Sequence, residues 1–404
     1  MTTLILPAIW LIILIAGLPQ LSETIYSPSL PDIARSLGTS DAMVEYTLTI
    51  YLLSFAIGTL FWGRISDAIG RRICVLLGLL FFTIGCFGCY FSGSINALMI
   101  SRFIQGFGGS IGSVIAQAIC RDAFHGPALG KVYSAIGSSL AVFPAVGPVI
   151  GGLIAQYYGW SAIFLFLIVF ACLLTAITYY CLPETHHASN RKPVSLISVA
   201  SQLIQDKKII GFGLIVAACN GISFSYFAEG SFNLIELLGL SPSMYGASFI
   251  LIASCTMLGG LYSKKLQGLY ASIAILRYGL WIIFGAFVFA SSVIGFHYYV
   301  YSLQSNVIIL SILAAQMGAM FGICMATSNA LALALIDYKW CIGTASSLFG
   351  FFYYSFVSLF TFGMGLLHND TLLPMPLYFL SISIFMICIQ KMIIEKTDDC
   401  SLIQ

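Results

Sequence analysis

Twelve apolar runs, each about as long as a bilayer's hydrocarbon core is thick, constrain this chain more than any other feature. A helix needs about 20 apolar residues to cross that core. The runs occupy 5–28, 43–63, 73–92, 95–120, 130–156, 160–182, 209–231, 245–263, 270–294, 304–335, 342–366 and 373–392. They are long and do not alternate between polar and apolar residues, which predicts helical spans rather than the strands of a barrel. The eighth run is rich in Gly and Ser. Only 8% of the 404 residues are charged, against roughly 25% in a soluble domain. Too few charges remain to cover a water-facing surface, so most of the exterior is expected to face lipid.

The charges test the span count. With both termini placed in the cytoplasm, the internal loops hold Arg64, Arg71, Arg72, Arg121, Lys131, Arg191, Lys192, Lys207, Lys208, Lys264, Lys265, Arg277, Lys339, Lys391 and Lys396. Arg35 falls outside and Arg102 within a span. This obeys the positive-inside rule, and one miscounted upstream span would scramble it. The near balance of 17 basic and 15 acidic residues argues against a nucleic-acid partner, which needs a basic footprint. The apolar N-terminus lacks a basic n-region and a small-residue cleavage site, so it reads as a retained first span.

The longest polar connection covers 183–208. Within it Leu196, Val199, Ala200, Leu203 and Ile204 recur at three- and four-residue spacing, which predicts a short amphipathic helix on the cytoplasmic surface. It divides the chain into halves of six spans, 1–182 and 209–404. The halves are weakly alike, with Asp122 and Asp337 in equivalent places just after a span. Two parallel six-helix halves are a transporter architecture, with the binding site at their interface near the midplane.

The sharpest motif is Gly63-Arg64-Ile65-Ser66-Asp67-Ala68-Ile69-Gly70-Arg71-Arg72 between spans two and three. Gly63 permits close helix approach, Gly70 a tight turn, and Asp67 and Arg71 are spaced to pair. A basic loop obeying topology rules would explain the arginines but not the glycines or the lone Asp. Ser101-Arg102-Phe103-Ile104-Gln105-Gly106 lies in span four, and Pro144-Ala145-Val146-Gly147-Pro148-Val149-Ile150-Gly151-Gly152 in span five. On these stretches the chain resembles the major facilitator superfamily, through its G-x-x-x-D-x-x-G-R-R loop, its R-x-x-Q-G and the G-P-x-x-G-G that marks antiporters. Phe143 stands where the antiporter pattern has a further glycine. Tyr26-x-Pro28-x-Leu30-Pro31, Leu182-Pro183-Glu184-Thr185 and Gly343-Thr344-Ala345-Ser346-Ser347 narrow the resemblance to the Bcr/CflA group of proton-coupled drug exporters.

The resemblance implies an all-α membrane protein with twelve helices in two pseudo-symmetric six-helix bundles. It implies that Arg71 lies beside Asp122 and Asp67 near the start of span eleven, forming a cytoplasmic latch with Gly63 and Gly70. It also implies that Pro144, Gly147, Pro148, Gly151 and Gly152 seal the path between the halves.

Charged residues inside a membrane are functional candidates by default, and Glu23 and Arg102 are the clearly embedded ones. Glu23 lies about five residues below the outer end of span one and Arg102 about seven below the outer start of span four. At roughly 1.5 Å per residue these depths agree within a few ångströms. The two are expected to pair, either as a permanent pin between helices or with Glu23 as the proton carrier. In the second reading Arg102 holds Glu23 ionised, and desolvation favours its neutral form when the cavity closes. The Bcr/CflA group usually has Asp at this place.

Gln20, Tyr26, Gln117, Asn220, Tyr226, Glu229, Gln316, Asn329 and Tyr353 are polar positions in cavity-type spans; each either contacts substrate or bonds a neighbouring helix. Glu229, near the outer end of span seven, is open to wetting at the interface. The aromatic run Phe349 to Tyr354 suits lipophilic cations or neutral aromatics.

The expected activity is proton-coupled export of drugs or amphipathic small molecules across a bacterial inner membrane. The alternative is export of one metabolite, such as a siderophore or amino acid. The implied partners are the substrate, protons and the bilayer, with a monomer sufficing. No cofactor is expected beyond the proton gradient. The five histidines form no acid/base or metal constellation in sequence, which argues against an enzyme. No Walker sequence is present, nor a repeated filter of the channel type. Cys86-x-x-Cys89 sits in an apolar run without His or basic neighbours and reads as packing.

Overall fold

The computed structural model describes residues 6–124, 128, 129, 131–133, 135, 136, 142–186, 196–336, 338 and 342–395. Its helices are α1 (Ile9–Thr24), α2 (Leu30–Leu37), α3 (Asp41–Ile69), α4 (Arg71–Tyr90), α5 (Ile95–Ala123), α6 (Phe143–Tyr158) and α7 (Ser161–Cys181). After these come α8 (Leu196–Gln205), α9 (Lys207–Ser231), α10 (Pro242–Leu266), α11 (Ser272–Tyr299), α12 (Ser305–Ala334), α13 (Ile342–Leu367) and α14 (Pro374–Ile389). Eleven segments of the described residues are long and apolar enough to span a membrane. The expected fifth span is represented by α6, 16 residues long; much of 130–142 lies outside the described residues, as do Asp337, Lys339 and Lys396. The Gly- and Ser-rich eighth run forms an unbroken helix of 25 residues.

Local chemistry sets the boundaries. Ser94 Oγ accepts from the Ala97 amide to open α5, and Asp206 accepts from Lys208 and Ile209 to open α9. Such caps satisfy amides that the first turn leaves without partners. Ser241 followed by Pro242 starts α10 in the same way. Gly70 separates α3 from α4 at φ +107°, a conformation that side chains with a Cβ rarely adopt. The first span breaks after Thr24 into a 3₁₀ turn, Ser27–Ser29, before α2 begins.

The helices of the first half pack chiefly on one another, α5 against α1, α3 and α4, and α4 against α7. In the second half α12 packs on α9, α10 and α11, and α14 on α9 and α11. Contacts between the halves run mainly through α3 with α13 and α6 with α10. Small residues allow these approaches: a Cβ on Gly112 would strike the Ile15 carbonyl of α1, and one on Gly259 the Phe321 backbone of α12. This is how helices associate where lipid removes the hydrophobic drive.

Helix α8 forms where the amphipathic spacing predicted it and packs on α13 and α9. Val199 and Leu203 are buried, but Ile204 is 72% exposed and does not belong to the packed face. Cys86 and Cys89 are buried, and Cys86 Sγ accepts a hydrogen bond from Gln105 Nε2 at 3.1 Å.

Candidate functional site

A cavity of about 280 Å³ opens between α3 and α5 of the first half and α12 and α13 of the second. Thr59, Gln117, Arg121, Ser347, Tyr353 and Tyr354 are among its lining residues. It lies toward the end of the molecule that carries the basic loops, with Arg121 in the last turn of α5. Beside it Ser347 Oγ donates to the Thr59 carbonyl at 3.1 Å. A Cβ on Gly63 would lie 2.8 Å from Ser347 Oγ, so this glycine lets α13 close on α3.

Glu23 is 1% exposed and Arg102 fully buried, but the expected ion pair between them is absent. Neither Glu23 carboxylate oxygen has a hydrogen-bond partner. Arg102 is intercepted nearer home. Its Nη1 donates to Gln105 Oε1 at 2.6 Å, and the guanidinium lies over the Tyr51 and Tyr26 rings, 4.2 and 4.6 Å from their centroids. Such stacking holds a cation without a carboxylate. Tyr353 and Tyr354, which line the cavity, lie within electrostatic reach of Glu23.

At the basic end Arg71 ties the loop motif to α5. It donates through Nη1 to Asp67 at 2.6 Å and to Ser66 at 2.7 Å, and through Nε to Asp122 at 2.8 Å. Asp67 is more than half exposed; its expected contact at the start of α13 falls partly on residues outside those described. Glu184 completes the group: its carboxylate accepts from the backbone amides of Arg71 and Arg72 at 2.9 and 3.1 Å. A carboxylate on the first amides of α4 also complements the helix dipole. His186 Nδ1 stands 3.7 Å from Asp122.

The opposite end is shut. Pro144 sits in the first turn of α6 and Pro148 inside it. A Cβ on Gly147 would strike Thr24, one on Gly151 the Ile25 carbonyl, and one on Gly152 the Pro242 carbonyl of α10. Gly246 of α10 lies equally close to the Pro148 carbonyl. The span-five motif thus packs the two halves backbone to backbone. Phe143, where a glycine was expected, is matched by Gly17, whose missing Cβ leaves room for its ring. Ser27 Oγ donates to the Phe227 carbonyl, and Ser358 Oγ to the Thr49 carbonyl at 2.9 Å.

The same closed seam buries Glu45 of α3 and Glu229 of α9, both 0% exposed. Glu229 is therefore not wetted at an interface. Its Oε2 lies 2.8 Å from His368 Nδ1, just beyond the end of α13. The histidines, scattered in sequence, do supply one member of a titratable cluster.

Of the other cavity candidates, Gln117 and Tyr353 border the cavity. Tyr26 is buried against Arg102 and Thr47. Asn220 bonds the Val216 carbonyl of its own helix, and Asn329 bonds Ser263 across the α10–α12 contact. Tyr226 and Gln316 line a separate small void of about 10 Å³ in the second half. Gln20 is partly buried in α1, and its carbonyl accepts from Thr24. Tyr51, Glu45 and Glu184 were not singled out from sequence. Gln105 had a signal, being three residues after Arg102 on one helix face.

Known proteins place this geometry. The sequence profile of the Major Facilitator Superfamily matches residues 12–362. An uncharacterized transporter of Rickettsia felis is 34% identical over 375 residues, covering 90% of each chain. The bicyclomycin resistance protein homolog of Haemophilus influenzae is 28% identical, covering 83% of each. Multidrug resistance protein D of Escherichia coli is 27% identical over 63% of this chain and 64% of its own. Among solved structures, a D-xylose–proton symporter superposes with a TM-score of 0.73 at 13% identity, over 94% of this chain and 96% of that one, a likeness of fold. The chain is a multi-pass membrane transporter, not an enzyme, and it belongs to the Major Facilitator Superfamily.

Proposed function

We propose that this transporter is a proton-coupled antiporter of the Bcr/CflA type, exporting drugs or other amphipathic small molecules across a bacterial inner membrane. The observation that carries the reading is Glu23: a buried carboxyl with no donor for either oxygen, within electrostatic reach of Tyr353 and Tyr354 of the interface cavity. An ionised carboxylate without donors is costly in such a place. Glu23 passes through this conformation carrying a proton and releases it when the site is wetted or a substrate takes its place.

With both termini and the basic loops in the cytoplasm, the cavity is on the cytoplasmic side and the sealed seam faces outward. The conformation is then inward-facing. Amphipathic cargo enters between α3, α5, α12 and α13, where Tyr353 and Tyr354 offer aromatic faces and Arg121 stands at the cytoplasmic end. Relatives named for bicyclomycin and multidrug resistance support a drug as that cargo. Alternating access moves the seam and the cavity in opposite senses. The Arg71–Asp122–Asp67–Glu184 network keeps the α3–α4 corner rigid, and Asp67, half free here, becomes the contact to α13 when the cytoplasmic side closes. The glycines of α6 prevent leakage past the outer seam.

The test is transport in inside-out vesicles. An imposed gradient, acid inside, should drive accumulation of a fluorescent lipophilic substrate by the parent protein and not by Glu23→Gln. Accumulation without a gradient, or undiminished in Glu23→Gln, overturns the proposal.

A further inference from the structure

The closed seam opposite the basic loops holds a group of side chains that export through Glu23 does not use. From α3 come Asp41 and Glu45, from α9 Glu229, and from the loop after α13 His368 and Asp370. One oxygen or ring nitrogen each of Glu45, Glu229 and His368 lie within 4.8 Å of one another. His368 Nδ1 is 2.8 Å from Glu229, and its Nε2 is 3.2 Å from Asp370 and 3.5 Å from Asp41. Glu236, just after α9, and the exposed Arg35 of α2 flank the group. Of the cationic side chains nearby, His368 contacts Glu229, Asp41 and Asp370 directly, and Arg35 lies within electrostatic reach of Glu236.

The cluster crosses the boundary between the halves. Glu45 belongs to the first half, Glu229 and His368 to the second. Glu45 reaches across to α13, where a Cβ on Gly365 would lie 3.1 Å from its Oε2. The packing around it is made for a side chain in this position. Yet Glu45 has no donor for either oxygen and Glu229 has none for Oε1. Two carboxyls lie close together, both fully buried, with the one histidine already engaged by Glu229 Oε2.

We infer that Glu45 and Glu229, oriented by His368, form a second proton-binding site, and that a proton held between the two carboxyls keeps this seam closed. The missing element in the cluster is a hydrogen-bond donor between two acceptors, and one proton on Glu45 supplies it. A proton fits better than a metal ion, since the 2.8 Å separation of Glu229 and His368 is a hydrogen bond, shorter than the spacing of two ligands on one cation. Burial opposes charge on His368, but the Asp41 and Glu229 carboxylates outweigh it and push its pKa up to about 10. The imidazolium is thus spoken for at neutral pH and leaves Glu45 without a partner.

The proton is taken up from the solvent on this side as the seam closes and returned there as it opens. Closed binds one proton more than open, so acid favours closure and each rise of one pH unit favours opening by up to tenfold. The site stands apart from Glu23 and from the identity of the cargo, because closure can be measured with no substrate present.

Spin labels on cysteines at Ser36 and Asn369, both exposed and on opposite halves, report the seam as a distance distribution. The exposed native Cys172, Cys181 and Cys388 are replaced in this background. Between pH 5 and 8.5 the longer-distance population should grow in the parent protein, by up to tenfold per unit. It should grow equally in Glu23→Gln and persist in Glu45→Asp, which keeps a titrating carboxyl and checks that the region folds. In Glu45→Gln, a permanent neutral mimic, the seam should stay closed across the range. A pH response undiminished in Glu45→Gln overturns the inference. So does one abolished in Glu23→Gln, or closure that follows added zinc and not pH.

Discussion

Gly151 and Gly152 are neighbours in α6, and alanine at each should do different things. A Cβ on Gly152 would meet the other half of the molecule, 3.0 Å from the Pro242 carbonyl carbon and 3.2 Å from Ser243 Cα. These are backbone atoms at the start of α10 and cannot swing aside. Overpacking of this kind costs about 1–3 kcal/mol. When the halves part on this side the contact is lost, so the cost falls on the closed conformer alone. Gly152→Ala should therefore raise the ratio of open to closed seam by about 5–150-fold. A Cβ on Gly151 instead meets Ile25 of the same half, a contact present in both conformers. Gly151→Ala should lower thermal stability and leave the ratio unchanged. The gain in helix propensity from Gly to Ala is common to both and cancels. A cysteine at Thr49, buried in the seam while its carbonyl bonds Ser358, reports opening by its rate of alkylation. An unchanged rate in Gly152→Ala, or an equal rise in Gly151→Ala, refutes the reasoning.

Three further outcomes follow from the same contacts. Arg71→Ala removes the partner of Asp67 and Asp122, both of which water still reaches, and should cost about 1–3 kcal/mol, read as a lowered unfolding temperature in detergent. Glu184→Gln leaves that ion pair but weakens the acceptor on the first amides of α4, a loss of about 1 kcal/mol in the same assay. His368 carries a pKa raised to about 10 from its ordinary 6.5. Its stabilisation is full below about pH 6.5 and lost as pH rises through about 10. Thermal stability should decline across that alkaline window in the parent protein and be flatter in His368→Asn.

Much of the fold was legible because lipid leaves few choices. Backbone groups must be satisfied within each span, so long apolar runs meant helices. The loop motif was legible because Gly70 and the four-residue spacing of Asp67 and Arg71 are local. The failures are contacts between residues far apart in sequence. Arg102 was assigned to Glu23 by matching depth alone. Depth does not show that Tyr51 and Tyr26 flank the guanidinium, nor that Gln105 takes its Nη1. Glu45 lies two residues inside the expected second span and was not singled out. Its burial depends on Gly365 and His368, some 320 positions away in the chain. Glu184 belonged to a recognised stretch, but nothing local showed that it would reach back to the amides of Arg71 and Arg72. Two polar residues at cavity-type positions are satisfied elsewhere, Asn220 by a carbonyl of its own helix and Asn329 by Ser263 of a neighbouring one. Hydrogen bonding to a nearby carbonyl or hydroxyl satisfies such a side chain at once, and a cavity does not.

The central claim is that Glu23 exchanges a proton for cargo. Its most direct test is proton release from purified protein in weakly buffered detergent on addition of substrate, from a panel of lipophilic cations, neutral antibiotics, siderophores and amino acids. Proton coupling through Glu23 predicts release by the parent protein with at least one compound and none from Glu23→Gln, with the active compound naming the cargo class. Substrate binding by the parent without release, or equal release from Glu23→Gln, contradicts it.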